Sequence, residues 1–335
     1  MTITIGVHSS NPSLYHLYHL SRLGLAQEEL APLGESVVFH PYTNGVRTGE
    51  LLSGGVIDFG GTGSTPPVTG QAAGHDIVYT AVSAPRPEHG ALLVPEDSPV
   101  RTVADLKGTV VHLAIGSWQT HLIAKALDDA GLSYADDVTA VRSTDDSEEL
   151  LRTGAIAAWV AQGAQLAAAR RTGGLRTLIR TGDVITDRSV FFARRDLAES
   201  RPEVIEALTR ALQRADDWAA AHPRAAAGIA AAARGGYAPP GGAAGGAQPR
   251  PDEWGAGHPR GAAECAAAAL RGSADDWETA LRALPWKIEP VTDAFLAEQQ
   301  EAADIFHRTG FIDRPVTVAH ALAGAGSGTG ADRAV

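Results

Sequence analysis

Three short stretches carry residue types that can grip an oxyanion. Gly116-Ser117-Trp118-Gln119-Thr120-His121 follows an apolar run and opens a helical pattern. Ser117, Gln119 and Thr120 offer O–H and N–H donors there. Backbone N–H groups at a helix start add partial positive charge. Gly63-Ser64-Thr65 offers a second donor set before Pro66-Pro67, and Ser10-Asn11 a third. Each stretch also suits plain helix capping, which Ser, Thr and Asn commonly perform. Arg188 and Arg47 carry the forked guanidinium that fits sulfonate, phosphate or carboxylate. Each also fits an ordinary role, Arg188 in an ion pair with Asp183 or Asp187, Arg47 on a solvated helix.

Other chemistries have thinner support. His8 precedes Ser9 and Ser10 and could serve a hydroxyl nucleophile as base, but a Gly-x-Ser-x-Gly elbow is missing. His16 and His19 share a helix face without a third ligand nearby, so no metal site is expected. Cys265 is the single cysteine, which excludes an internal disulfide and a Cys-based zinc site. Neither a Walker loop nor a complete Rossmann fingerprint is present, and no cofactor is expected.

The elements that must position these residues alternate. Strand patterns lie at 3–7, 36–40, 56–59, 77–82, 91–94, 110–114, 138–141, 157–160, 176–180 and 189–193. Helical patterns lie between many of them, including one continuous helix over 13–30 and another over 118–130. Beyond Pro202 the pattern is almost wholly helical. This order predicts an α/β fold with parallel sheets and two lobes around a cleft. In such sheets ligands sit at the carboxyl ends of strands, where the Gly/Ser/Thr loops fall.

With 44% apolar and 20% charged residues in 335, the chain can build a core. Its 28 basic and 39 acidic residues give a net charge of −11, which argues against a nucleic-acid grip. No apolar run approaches the ~20 residues of a membrane span. MTITIGVHSS lacks the basic and apolar regions of a secretory leader. As written the chain is expected to be cytoplasmic; it would be periplasmic or extracytoplasmic if a leader was removed or the start misplaced. Residues 237–251 are rich in Gly, Pro and Ala and read as a flexible loop. WAAAHPRAAAGIAAAARGG from Trp218 and WGAGHPRGAAECAAAALRG from Trp254 match at 12 of 19 positions. Residues 237–272 are therefore expected to be a duplicated surface insert.

GVIDFGGTGSTPPVTGQAAG (55–74) resembles the solute-binding proteins of ABC importers for aliphatic sulfonates and taurine, with their G-x-I-D-x-G-x-T-G-x-x-P-P run. The block at 92–132, LLVPEDSPVRTVADLKGTVVHLAIGSWQTHLIAKALDDAGL, and the block at 284–318, LPWKIEPVTDAFLAEQQEAADIFHRTGFIDRPVTV, are similar to that family in the same order. The resemblance implies a two-lobed periplasmic-binding-protein-like (type II) fold. Each lobe would be a mostly parallel sheet flanked by helices, with a helical C-terminal region. The first lobe would comprise 1–85 plus 186–335, the second 86–185, with 323–335 a disordered tail. It also implies a small anionic organic ligand bound by Ser10, Asn11, Gly63, Ser64, Thr65, Gly116, Ser117, Gln119, Thr120, Trp159 and Arg188. A monomer that docks on an ABC permease would follow.

One departure stands out. Many members carry Trp-Asp-Pro after the strand that here ends near Val160, where this chain reads Gln162-Gly163-Ala164. The loss of a bulky aromatic and an acid leaves room for a larger or less cationic ligand, with His8 and Trp118 candidates to line it. The sulfinate desulfinases, enzymes of the same fold, are the alternative resemblance. Their cysteine nucleophile after the first strand and their Arg before Gly-Gly are here Ser9/Ser10 and Asp58-Phe59. On that reading His8 and Ser10 would be catalytic.

Overall fold

A computed structural model describes residues 1–8, 10–234 and 273–324. Strand β1 (Thr2–His8) alternates, and its Ile3, Ile5 and Val7 are fully buried. It pairs in parallel along its whole length with β2 (Ser36–Tyr42). Between them lie α1 (Pro12–His19) and α2 (Leu25–Leu30). The continuous helix expected over 13–30 is broken there. Ser21–Leu23 forms a 3₁₀ turn and Gly24 adopts φ 71, a left-handed conformation that ends a helix.

Next come α3 (Thr48–Ser53), β3 (Phe59–Thr62), α4 (Thr65–Ala72) and β4 (Val78–Ser83). The chain then crosses to a second sheet through β5 (Gly90–Pro95), β6 (Val110–Leu113), α5 (Trp118–Asp129), β7 (Thr139–Arg142), α6 (Ser147–Arg152), β8 (Ala158–Gln162), α7 (Gly163–Thr172) and β9 (Leu175–Arg180). It returns as β10 (Val190–Ala193). Helices α8 (Arg195–Ser200), α9 (Pro202–Ala221), α10 (Pro223–Arg234) and α11 (Ala274–Arg282) follow. Strand β11 (Ile288–Glu289) and helix α12 (Asp293–Arg308) complete the described elements.

The first sheet runs β11-β4-β10-β3-β1-β2 and the second β7-β6-β8-β5-β9. The α/β class holds, but both sheets are mixed rather than mostly parallel. Strands β1, β2 and β3 are parallel, as are β6, β7 and β8. The crossing strands β5 and β10 pair antiparallel with both neighbours. Each arrives from the other sheet, β5 after β4 and β10 after β9, so it enters at the end where the parallel strands finish and runs back against them.

One apolar cluster joins the two sheets. It holds Leu52 and Phe192 on the first side, Leu92 and Val111 on the second, and α5 and α12 between, through Leu122 and Phe306. A second cluster packs α1, α9, α10 and α11 on the first sheet. Among the described residues no helix is long and apolar enough to cross a membrane. Residues 237–272 with Cys265, residues 325–335 and Ser9 lie outside the described residues, so the duplicated insert and most of the expected tail do too.

Candidate functional site

The carboxyl ends of the two parallel triplets converge on one cleft of about 300 Å³. The first sheet contributes His8 closing β1, Thr43 following β2, and Thr62-Gly63 at the end of β3. The second contributes Ala114 following β6, Arg142 closing β7 and Gln162 closing β8. Strand ends in α/β sheets are where backbone groups run out of ladder partners.

The loop into α5 is held by its own side chains. Ser117 caps the helix: its Oγ accepts from the Gln119 N–H at 3.1 Å and donates to the Ala114 carbonyl at 2.7 Å. Thr120 Oγ1 accepts the Gly116 N–H at 2.9 Å, and Gln119 Oε1 accepts the Ala114 N–H at 2.7 Å. Thr65 Oγ1, at the start of α4, donates to the Ser117 carbonyl at 2.7 Å and so ties two helix starts together. Gly63 and Gly90 accommodate the Trp118 side chain; a Cβ on Gly90 would come within 2.4 Å of its ring. The indole lies 5.1 Å from the His89 ring.

His8 is oriented from both sides. Its Nε2–H donates to the Thr43 carbonyl at 3.0 Å, which leaves Nδ1 as acceptor. Ser10 Oγ lies 2.5 Å from that Nδ1. The Ser10 N–H also reaches it, at 3.2 Å.

Among the described residues, two arginines line the cleft and no Asp or Glu does. Arg86 is buried; its Nη2 donates to Asp187 at 3.0 Å and its Nη1 to Ser189 Oγ at 3.1 Å. Asp187 also holds His89 Nδ1 at 2.7 Å. Burial alone would raise the Asp187 carboxyl, but Arg86 and His89 beside it hold it below its ordinary value. The charge of Arg86 is thus compensated from behind. Arg142 is different: it is exposed and has neither a hydrogen bond nor an ion pair to any described residue.

The structure brings Ser10, Gly63, Gly116 and Ser117 to the cleft, along with His8 and Trp118. Thr65, Gln119 and Thr120 stand just behind, bracing the loops. Asn11 is buried as the cap of α1, accepting from the Leu14 N–H at 3.1 Å. Ser64 is buried against His121 Nδ1 at 3.1 Å. Trp159 and Arg188 do not line the cleft. On β8, residue parity puts Trp159 and Ala161 on the face packed against Leu93 and Leu166. Arg188 Nη1 donates to the Ser83 carbonyl and to Glu289 at 2.6 and 2.7 Å, tying β4 to β11. Arg47 pairs with Glu50 at 2.9 Å on the surface. His16 and His19 are on α1, and no group of three potential metal ligands occurs among the described residues.

Residues 34–226 match the model of one family, described as NMT1/THI5 like. The chain belongs to the NMT1/THI5-like family. A relative named for aliphatic sulfonate binding, from Escherichia coli (strain K12), is 32% identical over 221 residues, covering 64% of this chain and 69% of the relative. Among solved structures, the periplasmic aliphatic sulphonate binding protein SsuA from Escherichia coli matches with TM-score 0.75 and 25% identity, over 96% of this chain and 91% of that one. A DSZB variant in complex with biphenyl-2-sulfinic acid matches with TM-score 0.57 at 17% identity, over 96% of both chains, a likeness of fold alone.

In this NMT1/THI5-like chain, sequence reasoning did not single out Arg86, Arg142 or residues 43–46 as ligand-facing, and it marked Gln162 only as a departure from the Trp-Asp-Pro run, not as a donor. Arg142 and Gln162 each close a parallel strand, so the strand-end rule held the signal for both. Arg86 sits between Pro85 and Pro87 in a crossing between sheets, where no local pattern marks it.

Proposed function

We propose that this chain is a solute-binding protein for a sulfonate-like organic anion, held in the cleft and delivered to an ABC importer. The observation that carries the reading is Arg142, a guanidinium without a partner among the described residues, in a cleft that it lines together with the start of α5 and with no described carboxylate. A sulfonate supplies three acceptor oxygens to such a donor set. The sulfonate-binding relatives support the ligand class, and they favour a binder over an enzyme. The SsuA relative is described as periplasmic, so an extracytoplasmic site of action replaces the expectation of a cytoplasmic chain. Residues 1–85 with 186–335 and residues 86–185 would close on the ligand as two lobes of a monomer, excluding water and strengthening each hydrogen bond. Their strands supply the first and second sheets respectively, which supports that division.

Titration calorimetry of the purified protein with alkanesulfonates tests the reading. R142A should weaken the best ligand by at least tenfold, since a hydrogen bond to a charged group contributes about 1.5–3 kcal/mol. Unchanged affinity in R142A would remove Arg142 from the site.

The His8–Ser10 contact supports a second reading, an enzyme on this fold. A hydroxyl 2.5 Å from an imidazole nitrogen that a carbonyl keeps as acceptor is the arrangement of a nucleophile beside its base. Release of sulfite from aryl or alkyl sulfinates, abolished by H8A and by S10A, would establish it. Its absence leaves the binder.

A further inference from the structure

We infer that Gln162 selects the ligand by donating its amide N–H groups into the cleft, so that the site takes organic anions whose tail presents an acceptor and rejects those carrying an ammonium group. The inference rests on the proposed anion site and adds to it a rule about the remainder of the ligand.

A glutamine amide can present either its oxygen or its NH2, and here a chain of hydrogen bonds decides which. The Ala114 backbone group is an N–H, so the Gln119 atom facing it, at 2.7 Å, must be the carbonyl oxygen. The other end of the Gln119 amide is therefore its NH2, which donates to Gln162 at 3.0 Å. The Trp118 indole N–H, which can only donate, reaches the same Gln162 atom at 3.0 Å. Two donors on one atom require it to be Oε1. Gln162 lines the cleft and its Nε2 has no acceptor among the described residues, so its two N–H groups are left for whatever the cleft holds.

The polarity of that position is thus set from the backbone outward. With Arg142 and no carboxylate among the described lining residues, the cleft offers no negative charge to pair with an ammonium group. A hydroxyl or ether oxygen, or a second oxyanion oxygen, meets donors instead. An ammonium in the same place faces donors and a guanidinium.

Calorimetry with ethanesulfonate, 2-hydroxyethanesulfonate and 2-aminoethanesulfonate tests the inference, with the matching carboxylates and phosphonates as a second set. Wild-type protein should bind 2-hydroxyethanesulfonate at least about tenfold tighter than 2-aminoethanesulfonate. This ranking needs no variant. Q162E keeps the side-chain length and both accepted hydrogen bonds but replaces the donor with a negative charge. It should weaken 2-hydroxyethanesulfonate and bring the preference for it over the amino compound close to unity or reverse it. Anions that bind wild type without that preference, or with a preference that Q162E leaves unchanged, overturn the inference while the anion site stands. Failure of every anion in both sets to bind wild type overturns the anion reading and the inference together.

Discussion

Asp216, on α9, has a carboxyl group 2% exposed and close to Ser13. Burial pushes it from 3.8 up to about 7. Below 3.8 the group is protonated in both the folded and unfolded chain and costs nothing. Between there and about 7 the unfolded chain ionises it while the fold keeps its proton. The folded state binds the extra proton, so this residue's contribution to stability falls as pH rises through the window. D216N keeps the shape and cannot ionise. The stability advantage of D216N over wild type should therefore grow from pH 4 to pH 7. It should reach a few kcal/mol, because each tenfold change in a protonation equilibrium is worth about 1.4 kcal/mol. Urea unfolding at pH 4, 5.5 and 7 measures it; a constant difference across that range would show that Asp216 is not proton-linked to folding. Arg142 and Gln162 act at the same scale, each through a single group left without a protein partner among the described residues.

At the scale of elements, α5 is the part that builds the cleft. Its cap, its first turn and the preceding loop are cross-braced by Ser117, Gln119 and Thr120, residues whose donor chemistry was legible in the sequence. What was not legible is that this chemistry is spent on the loop itself. A hydroxyl three residues from a carbonyl finds it locally before any ligand arrives. The position of α5 depends on Gly90, at the start of β5, where a Cβ would meet Trp118 at 2.4 Å and the Ala161 carbonyl at 2.9 Å. Gly90→Ala should displace the indole and with it the hold of Trp118 and Gln119 on Gln162. Overpacking of this kind costs about 1–3 kcal/mol. The expected outcome is a lower thermal midpoint together with weaker ligand binding. A Gly90→Ala protein that binds and melts like wild type would show that Trp118 has room to move. The break between α1 and α2 belongs here too. The apolar pattern runs through Gly24, and the 3₁₀ turn at Ser21–Leu23 with the left-handed Gly24 separates the helices.

At the scale of the whole molecule, the apolar cluster through Leu92, Val111, Phe192 and Phe306 crosses from one sheet to the other. It places the ends of six parallel strands around a single cleft. The cleft is a product of two crossings, β4 to β5 and β9 to β10, that bring distant segments back beside one another. Asp187 and Arg86 meet there from positions about a hundred residues apart, with Asp187 held at φ 42. No spacing in the chain announces that pair.

The sequence by itself determined the α/β class, the alternation of elements, the family and the Gly/Ser/Thr loops at strand ends. These follow from local periodicity, from turn residues and from runs of conspicuous motif, all readable within a few turns of chain. The tertiary structure decided the antiparallel sense of β5 and β10, the removal of Trp159 and Arg188 from the cleft, and the entry of Arg86, Arg142 and Gln162 into it. Those outcomes depend on which face of a strand meets a core and on which polar groups find partners first. Such choices are settled by packing and hydrogen-bond satisfaction between segments far apart in sequence.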